Sequence, residues 1–456
     1  MTAWNFPQGF WWGAATSSYQ IEGAADADGR GPSIWDTFCK VPGAISDGSD
    51  GAVATDHYHR SAADVSLMKD LGLGAYRFSI AWPRVQPTGS GAPVAAGLDF
   101  YSRLVDELLE AGIIPVVTLY HWDLPQALED AGGWPVRDTA ERFGEYAAIM
   151  AEALGDRVAL WTTLNEPWCS AFLGYSSGVH APGRREPAAA LAAAHHLNLA
   201  HGLGTQAIRS VLGEQTEVGT VINVHQFYPA SDDPRDVEAY ERAYAVGNDT
   251  FLTPVLEGRY TDKTLDATRD ITDWGFVRDG DLATIHQPLS VLGLNYYMTW
   301  KIAAGTPAGH PTAFPGADDV RQFADPGPRT AMGWNIDPQG LTDLLVEMGS
   351  RFPGVPLVVT ENGAAFDDEV AADGAVHDPD RIAYYEGHLA AVRSAIEQGA
   401  PVKGYFAWSL LDNFEWAYGY SKRFGIVRVD YDTQVRTPKD SARWYSDFIA
   451  AQTRPE

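Results

Sequence analysis

A closed, eight-stranded parallel (β/α)8 barrel of the α/β class is the fold this sequence predicts, and three observations predict it. Short, continuously apolar runs rich in β-branched and aromatic residues recur eight times along the chain. Such runs suit strands that are covered on both faces, as in an all-parallel sheet. Between them lie stretches with apolar residues at helical spacing, GLDFYSRLVDELLEAG (97–112) with Gly112 as a stop signal being the clearest. The alternation keeps one character from end to end, which implies strand–helix units in a single parallel sheet.

The strands are read in order as FWWGAAT (10–16), GAYRFSIAW (74–82), IIPVVTLYH (113–121) and VALWTTLNE (158–166), then VGTVINVHQF (218–227), VLGLNYY (291–297), PLVVTEN (356–362) and VKGYFAWSL (402–410). A barrel of this kind usually needs about 250 residues, so roughly 200 must sit in insertions. Long segments follow strand 1 (17–73) and strand 4 (167–215), and a Gly-, Pro-, Ala- and Asp-rich segment spans 303–333. That last segment reads as an insertion and not as an interdomain linker, because strands 7 and 8 follow it and the barrel cannot close without them. The expectation is one catalytic barrel domain over 1–456. The eight units share no repeated motif, so a solenoid is not indicated.

Composition excludes several function classes. The chain carries 33 basic against 60 acidic residues, a net charge of −27, with no basic run. A phosphate backbone would be repelled, so neither nucleic acid nor an anionic membrane is an expected partner. No stretch approaches the ~20 apolar residues of a membrane span. The first twenty residues lack a basic n-region and a cleavage site, and the two cysteines, Cys39 and Cys169, cannot build a disulfide framework. Both point to a reducing cytoplasm. The 15 Trp, 20 Tyr and 18 Phe admit two readings: a large core, or flat rings that cover the apolar C–H face of a sugar.

Polar groups collect at the C-terminal ends of the strands, where barrel active sites sit. His121 and Trp122 end strand 3, Asn165 and Glu166 end strand 4, Asn295 and Tyr297 end strand 6, and Glu361 and Asn362 end strand 7. Trp408 lies in strand 8, and Arg77 lies inside strand 2, where a charge needs a partner. Glu166 and Glu361 each follow an apolar and Thr-rich run, so each carboxyl is partly desolvated and directed at the barrel axis. Two facing carboxyls are what glycoside hydrolysis requires, one protonated to donate to the leaving oxygen, the other ionised to attack the anomeric carbon. Arg77 is suited to keep Glu361 ionised, and that negative charge would raise the pKa of Glu166. The other reading is a pair of buried structural acids tied to Arg or backbone donors.

TLNEP (163–167) and TENG (360–363) resemble the acid/base and nucleophile motifs of glycoside hydrolase family 1, the β-glucosidase family. The resemblance runs through nearly the whole chain: WGAATSSYQIEGA (12–24), DGRGPSIWDTF (28–38), YRFSIAWPR (76–84), LYHWDLP (119–125), LGLNYY (292–297) and WSLLDNFEWAYGY (408–420) follow in the family's order. It implies Glu166 as acid/base and Glu361 as nucleophile. It implies Gln20, His121, Asn165, Glu415 and Trp416 as partners of the non-reducing sugar, with Trp122 beside them and Trp408 stacked beneath. It implies Asn295 and Tyr297 as supports of the nucleophile, with Tyr297 donating to Glu361 alongside Arg77, and Trp334 as a wall for the leaving group. The implied substrates are small β-D-glucosides or short oligosaccharides, as in cellulose breakdown, with β-D-fucosides and β-D-galactosides as further candidates.

Two other readings stand beside this one. A 6-phospho-β-glycosidase would need a cationic cradle; Tyr418, Tyr420 and Lys422 keep it open, but an ionised Glu415 at the O4/O6 edge would repel the phosphate. A catalytically inactive sugar-binding barrel would lack one of the two glutamates, and both are present. No cofactor or metal is expected. His57 and His59 in DHYHR, and His195, His196 and His201, lack a credible ligand spacing and read as packing residues. Cys169, three residues after Glu166, reads as a small buried residue behind the site.

Overall fold

The computed structural model describes Trp4 and residues 6–453. Eight parallel strands close the barrel: β1 (Trp11–Ala15), β2 (Ala75–Ser79), β3 (Ile114–Tyr120), β4 (Leu160–Asn165), β5 (Val218–Ile222), β6 (Val291–Asn295), β7 (Leu357–Asn362) and β8 (Val402–Trp408). Neighbours in sequence are neighbours in the sheet, and β1 joins β8 through Gly13↔Phe406 while pairing β2 through Gly13↔Ala75. The outer ring includes α1 (His57–Asp70), α2 (Ala95–Glu110), α3 (Arg137–Leu154), α4 (Pro187–Leu212), α5 (Pro338–Arg351), α6 (Pro379–Glu397) and α7 (Asp440–Thr453). All eight apolar runs contribute a barrel strand.

One run divides. The reading of 218–227 as one strand is corrected: β5 ends at Ile222, and Gln226–Pro229 belongs to a separate three-stranded sheet with Thr299–Ala304 and Val320–Phe323. The break is held from outside. Asn248 accepts from the His225 amide and donates to the His225 carbonyl, both at 2.9 Å, so a distant side chain replaces the ladder bonds a longer strand would have made. This also gives the 303–333 insertion a strand of its own.

The barrel interior is filled at the bottom by apolar side chains drawn from many strands: Ala75, Val116, Leu160, Val291, Val358 and Phe406. Gly13 makes room for Phe406; a Cβ there would stand 2.7 Å from that ring and 2.5 Å from the Ala75 carbonyl oxygen. A second, larger core lies between strands and helices. Above this plug, polar side chains gather at the C-terminal ends of the strands. No helix among the described residues is long and apolar enough to cross a membrane.

Candidate active site

Side chains along a strand alternate between faces, so a site that needs consecutive residues must break the alternation. On β2 the inward positions Ala75 and Arg77 keep it. On β4 the register against β5 shifts between Thr162 and Asn165, and Glu166 then takes φ 48°, a left-handed conformation that is costly for a non-glycine residue. Asn165 and Glu166 thereby enter the same site. On β7 the register against β6 shifts between Val359 and Glu361, which brings in both Thr360 and Glu361.

The two glutamates have different company. Arg77 donates from Nη1 to Glu361 Oε1 at 2.6 Å, and the Tyr297 hydroxyl donates to Glu361 Oε2 at 2.6 Å. Among the described residues no cation touches Glu166; Asn295 Nδ2 donates to its Oε1 at 2.8 Å and the Cys169 thiol to its Oε2 at 3.4 Å. Burial, then the charge of Glu361, pushes the Glu166 carboxyl up to about 8. Burial raises Glu361 too, but Arg77, Tyr297 and Asn295 all pull it back. Proton and charge are therefore divided, with the proton on Glu166 and the charge on Glu361.

A single network holds these groups. Asn165 Oδ1 accepts from Arg77 Nη2 at 2.7 Å and from Asn295 Nδ2 at 3.0 Å, which fixes the orientation of its amide. Its Nδ2 must then donate to His121 Nε2 at 3.0 Å. His121 consequently carries its proton on Nδ1, a buried atom without a partner among the described residues. Burial and Arg77 hold this ring neutral. His121 thus keeps an uncommitted N–H donor beside the cavity that it lines. Thr360 Oγ1 donates to Asn295 Oδ1 at 2.7 Å, completing that side chain.

The cavity encloses about 360 Å³ and is lined by Glu166, Glu361, His121, Trp122, Asn295, Tyr297, Trp334, Trp408, Glu415 and Trp416, among others. Trp408 and Trp416 each lie nearly parallel to the His121 ring, at 5.9 and 6.0 Å. Trp122 presents its ring only, since its indole N–H donates to the Asn165 carbonyl. Trp334, half-buried, stands at the opposite end against Tyr297 and Phe424. Arg77 and Asn165 are fully buried beneath the lining, and Gln20 stands behind Glu415, donating to Asn413, to the Phe414 carbonyl and, at 3.4 Å, to Glu415 Oε2. These three reach the cavity through the groups they hold.

One electrostatic expectation needs correcting. Glu415 is not an ionised surface acid: burial, then Glu361 and Glu166, pushes it up to about 8. Near neutral pH it carries a proton, so it offers a donor as well as an acceptor and cannot repel a phosphate by charge. What disfavours a phosphate is the absence of a cation: among the described residues no Lys or Arg lines the cavity. Lys422 donates to the Ala331 carbonyl at 2.7 Å.

The lining also contains residues the sequence reading did not assign: Trp168, Leu173, Asn223, His225 and Trp300. Trp168 had a signal in its place two residues after Glu166. Asn223 and His225 sit at the C-terminal end of β5, where the pattern of polar strand ends applied, but reading 218–227 as one strand hid it. Cys169 belongs in the lining as well, in front of the packing role expected of it.

Comparison with known proteins identifies the family. The model of glycosyl hydrolase family 1 matches residues 2–454. A bifunctional beta-D-glucosidase/beta-D-fucosidase from Bifidobacterium breve is 53% identical over 98% of each chain, and beta-glucosidase A of Thermotoga maritima is 46% identical over 98% of each. Among solved structures, a psychrophilic beta-glucosidase from Micrococcus antarcticus superposes with a TM-score of 0.95 at 48% identity, covering 98% of each chain. The Thermotoga maritima family 1 enzyme in complex with isofagomine lactam superposes with a TM-score of 0.92 at 45% identity, covering 98% of this chain and 99% of that one. With two buried glutamates at the ends of β4 and β7 and a family match over nearly its whole length, this chain belongs to glycosyl hydrolase family 1.

Proposed function

We propose that the protein is a retaining exo-β-glycosidase that releases terminal, non-reducing β-D-glucosyl residues, with β-D-fucosides and β-D-galactosides as further substrates. The observation that carries this reading is the unequal support of two buried glutamates in one cavity. Glu361, held by Arg77 and Tyr297, attacks the anomeric carbon; the glycosidic bond breaks as the proton on Glu166 passes to the leaving oxygen. Glu166, now a carboxylate, takes a proton from water. That water opens the glycosyl ester and restores Glu361. His121, Glu415 and the ring of Trp408 suit the hydroxyls and the C–H face of one sugar, and the plugged barrel below them favours cleavage of terminal residues. The naming of one relative as a glucosidase/fucosidase supports the wider substrate range. Short cello-oligosaccharides are natural candidates, and two unpaired cysteines suit a reducing cytoplasm.

Proton NMR of the products tests the mechanism. A covalent intermediate means two inversions, so β-glucose should appear first and α-glucose only by mutarotation. Initial α-glucose would rule out double displacement.

A panel of aryl β-glucosides with and without a 6-phosphate tests the substrate. With no cation lining the cavity, kcat/KM should favour the unphosphorylated compound strongly. Because Glu415 meets the cavity as a neutral group, Glu415→Ser should change that preference little, and so should substitution of Lys422, which is committed to the Ala331 carbonyl. A higher kcat/KM for the phosphorylated substrate would overturn the assignment.

A further inference from the structure

Cys169 begins the wide helical segment Cys169–Ser177 that follows β4, and its amide donates to the Glu166 carbonyl at 2.9 Å. That tight turn places the thiol beside the carboxyl of the same turn, with Sγ 3.4 Å from Glu166 Oε2. On its other side, Asn223 Nδ2 donates to Sγ at 3.7 Å. Burial and the neighbouring carboxylates push the thiol pKa upward, so the S–H is retained at any working pH.

The chemistry of these donors is specific. Asn295 Nδ2 can only donate, so Glu166 Oε1 is kept as an acceptor, and the proton that Glu166 carries belongs on Oε2, the oxygen facing Cys169. A thiol is a weak donor and a weak acceptor. It accepts from Oε2–H while Glu166 is the acid, and it donates to Oε2 once the proton has gone to the leaving group. A donor-only or acceptor-only side chain would favour one of those states; the thiol fits both without moving. Asn223 adds a link to the leaving-group side of the cavity. Its Nδ2 holds Sγ, and its buried Oδ1 has no partner among the described residues while the residue lines the cavity with Trp168.

We propose that Cys169, held by Asn223, is a positioning residue for the acid/base carboxyl, and that the chain Asn223–Cys169–Glu166 couples a hydroxyl on the leaving group to proton delivery. The proposal rests on Glu166 being the proton donor, as set out above. It deepens that reading by assigning the residues that hold the transferring oxygen and by naming the favoured leaving group, one with a hydroxyl in reach of Asn223 Oδ1.

The test compares Cys169→Ala and Cys169→Ser on three substrates: dinitrophenyl β-glucoside, whose leaving group needs no proton; methyl β-glucoside, which needs one; and cellobiose, which needs one and carries hydroxyls. Cys169→Ala should lower kcat/KM about tenfold on the two alkyl-type substrates, a fraction of the 10²–10⁴ that general acid catalysis supplies, and less than about twofold on the dinitrophenyl compound. Without the thiol donating to the carboxylate, the basic limb of the pH profile should move to higher pH. Cys169→Ser, which retains a donor and an acceptor, should recover most of the loss. Asn223→Ala should affect cellobiose more than methyl β-glucoside. Equal losses on all three substrates would show packing alone and overturn the proposal, as would no loss on any. Glu166→Gln is the control: if it too fails to separate the substrates, the assignment of Glu166 falls, whereas separation by Glu166→Gln with none by Cys169→Ala removes only the role of Cys169.

Discussion

Glu361→Ala should abolish measurable turnover of every β-glucoside, with a loss of several orders of magnitude, because Glu361 is the group proposed to form the covalent intermediate. Removing the carboxyl also leaves Arg77 without the counter-ion it meets at 2.6 Å, and an uncompensated buried guanidinium is destabilising. Folding should therefore be checked by circular dichroism, and Glu361→Gln, which keeps the shape and one acceptor, should be equally inactive while perturbing the fold less. Added azide or formate should restore part of the activity of the alanine variant by entering the space the carboxyl vacated. The product of that attack has undergone one inversion, so it should be the α-configured glycosyl azide. A β-configured azide, or full activity in the glutamine variant, would remove Glu361 from the role of nucleophile.

Glu166→Ala should produce a loss that depends on the leaving group. On an alkyl β-glucoside or cellobiose the loss in kcat/KM should reach about 10²–10⁴, the usual range for general acid catalysis. On the dinitrophenyl glycoside, whose phenolate leaves unaided, the glycosylation step should change little. Turnover there should become limited by hydrolysis of the intermediate, which needs Glu166 as base, and azide should accelerate it to give the β-azide after two inversions. The alanine variants thus separate by the configuration of the rescued product, α for Glu361 and β for Glu166. Identical configurations would show that the roles are misassigned. The pH profile of the parent enzyme bears on the same point. Glu166 must be protonated and is pushed up to about 8, so kcat/KM should fall as pH rises through about 8. Glu361 must be ionised, so activity should also fall at low pH. In Glu166→Ala the basic limb should be lost for the dinitrophenyl substrate.

The sequence by itself determined the barrel. Eight buried strands announce themselves as apolar runs because a parallel sheet covered on both faces has no solvent side to impose alternation. Each of those runs became a barrel strand. The polar residues closing the runs were equally legible, since a charge or amide at the end of an apolar strand has few other uses; His121, Asn165, Glu166, Asn295 and Glu361 all lie in or directly beneath the cavity. What the tertiary structure decided is how those groups face one another. The alternation along β4 and β7 would send Asn165 and Glu361 away from the axis; only register shifts against β5 and β6 turn them inward, and register is a property of strand pairs. The tautomer of His121 follows from the fixed amide of Asn165, three strands of side chains acting together. The charge of Glu415 was misjudged from sequence because ionisation depends on burial and on two other carboxyls contributed by β4 and β7. Asn223 and Cys169 entered the site through a strand break that Asn248 enforces from outside the barrel and a turn that follows β4. A local pattern records which faces must be buried; which polar atoms meet, and who holds the proton between them, depends on distances that only the closed barrel sets.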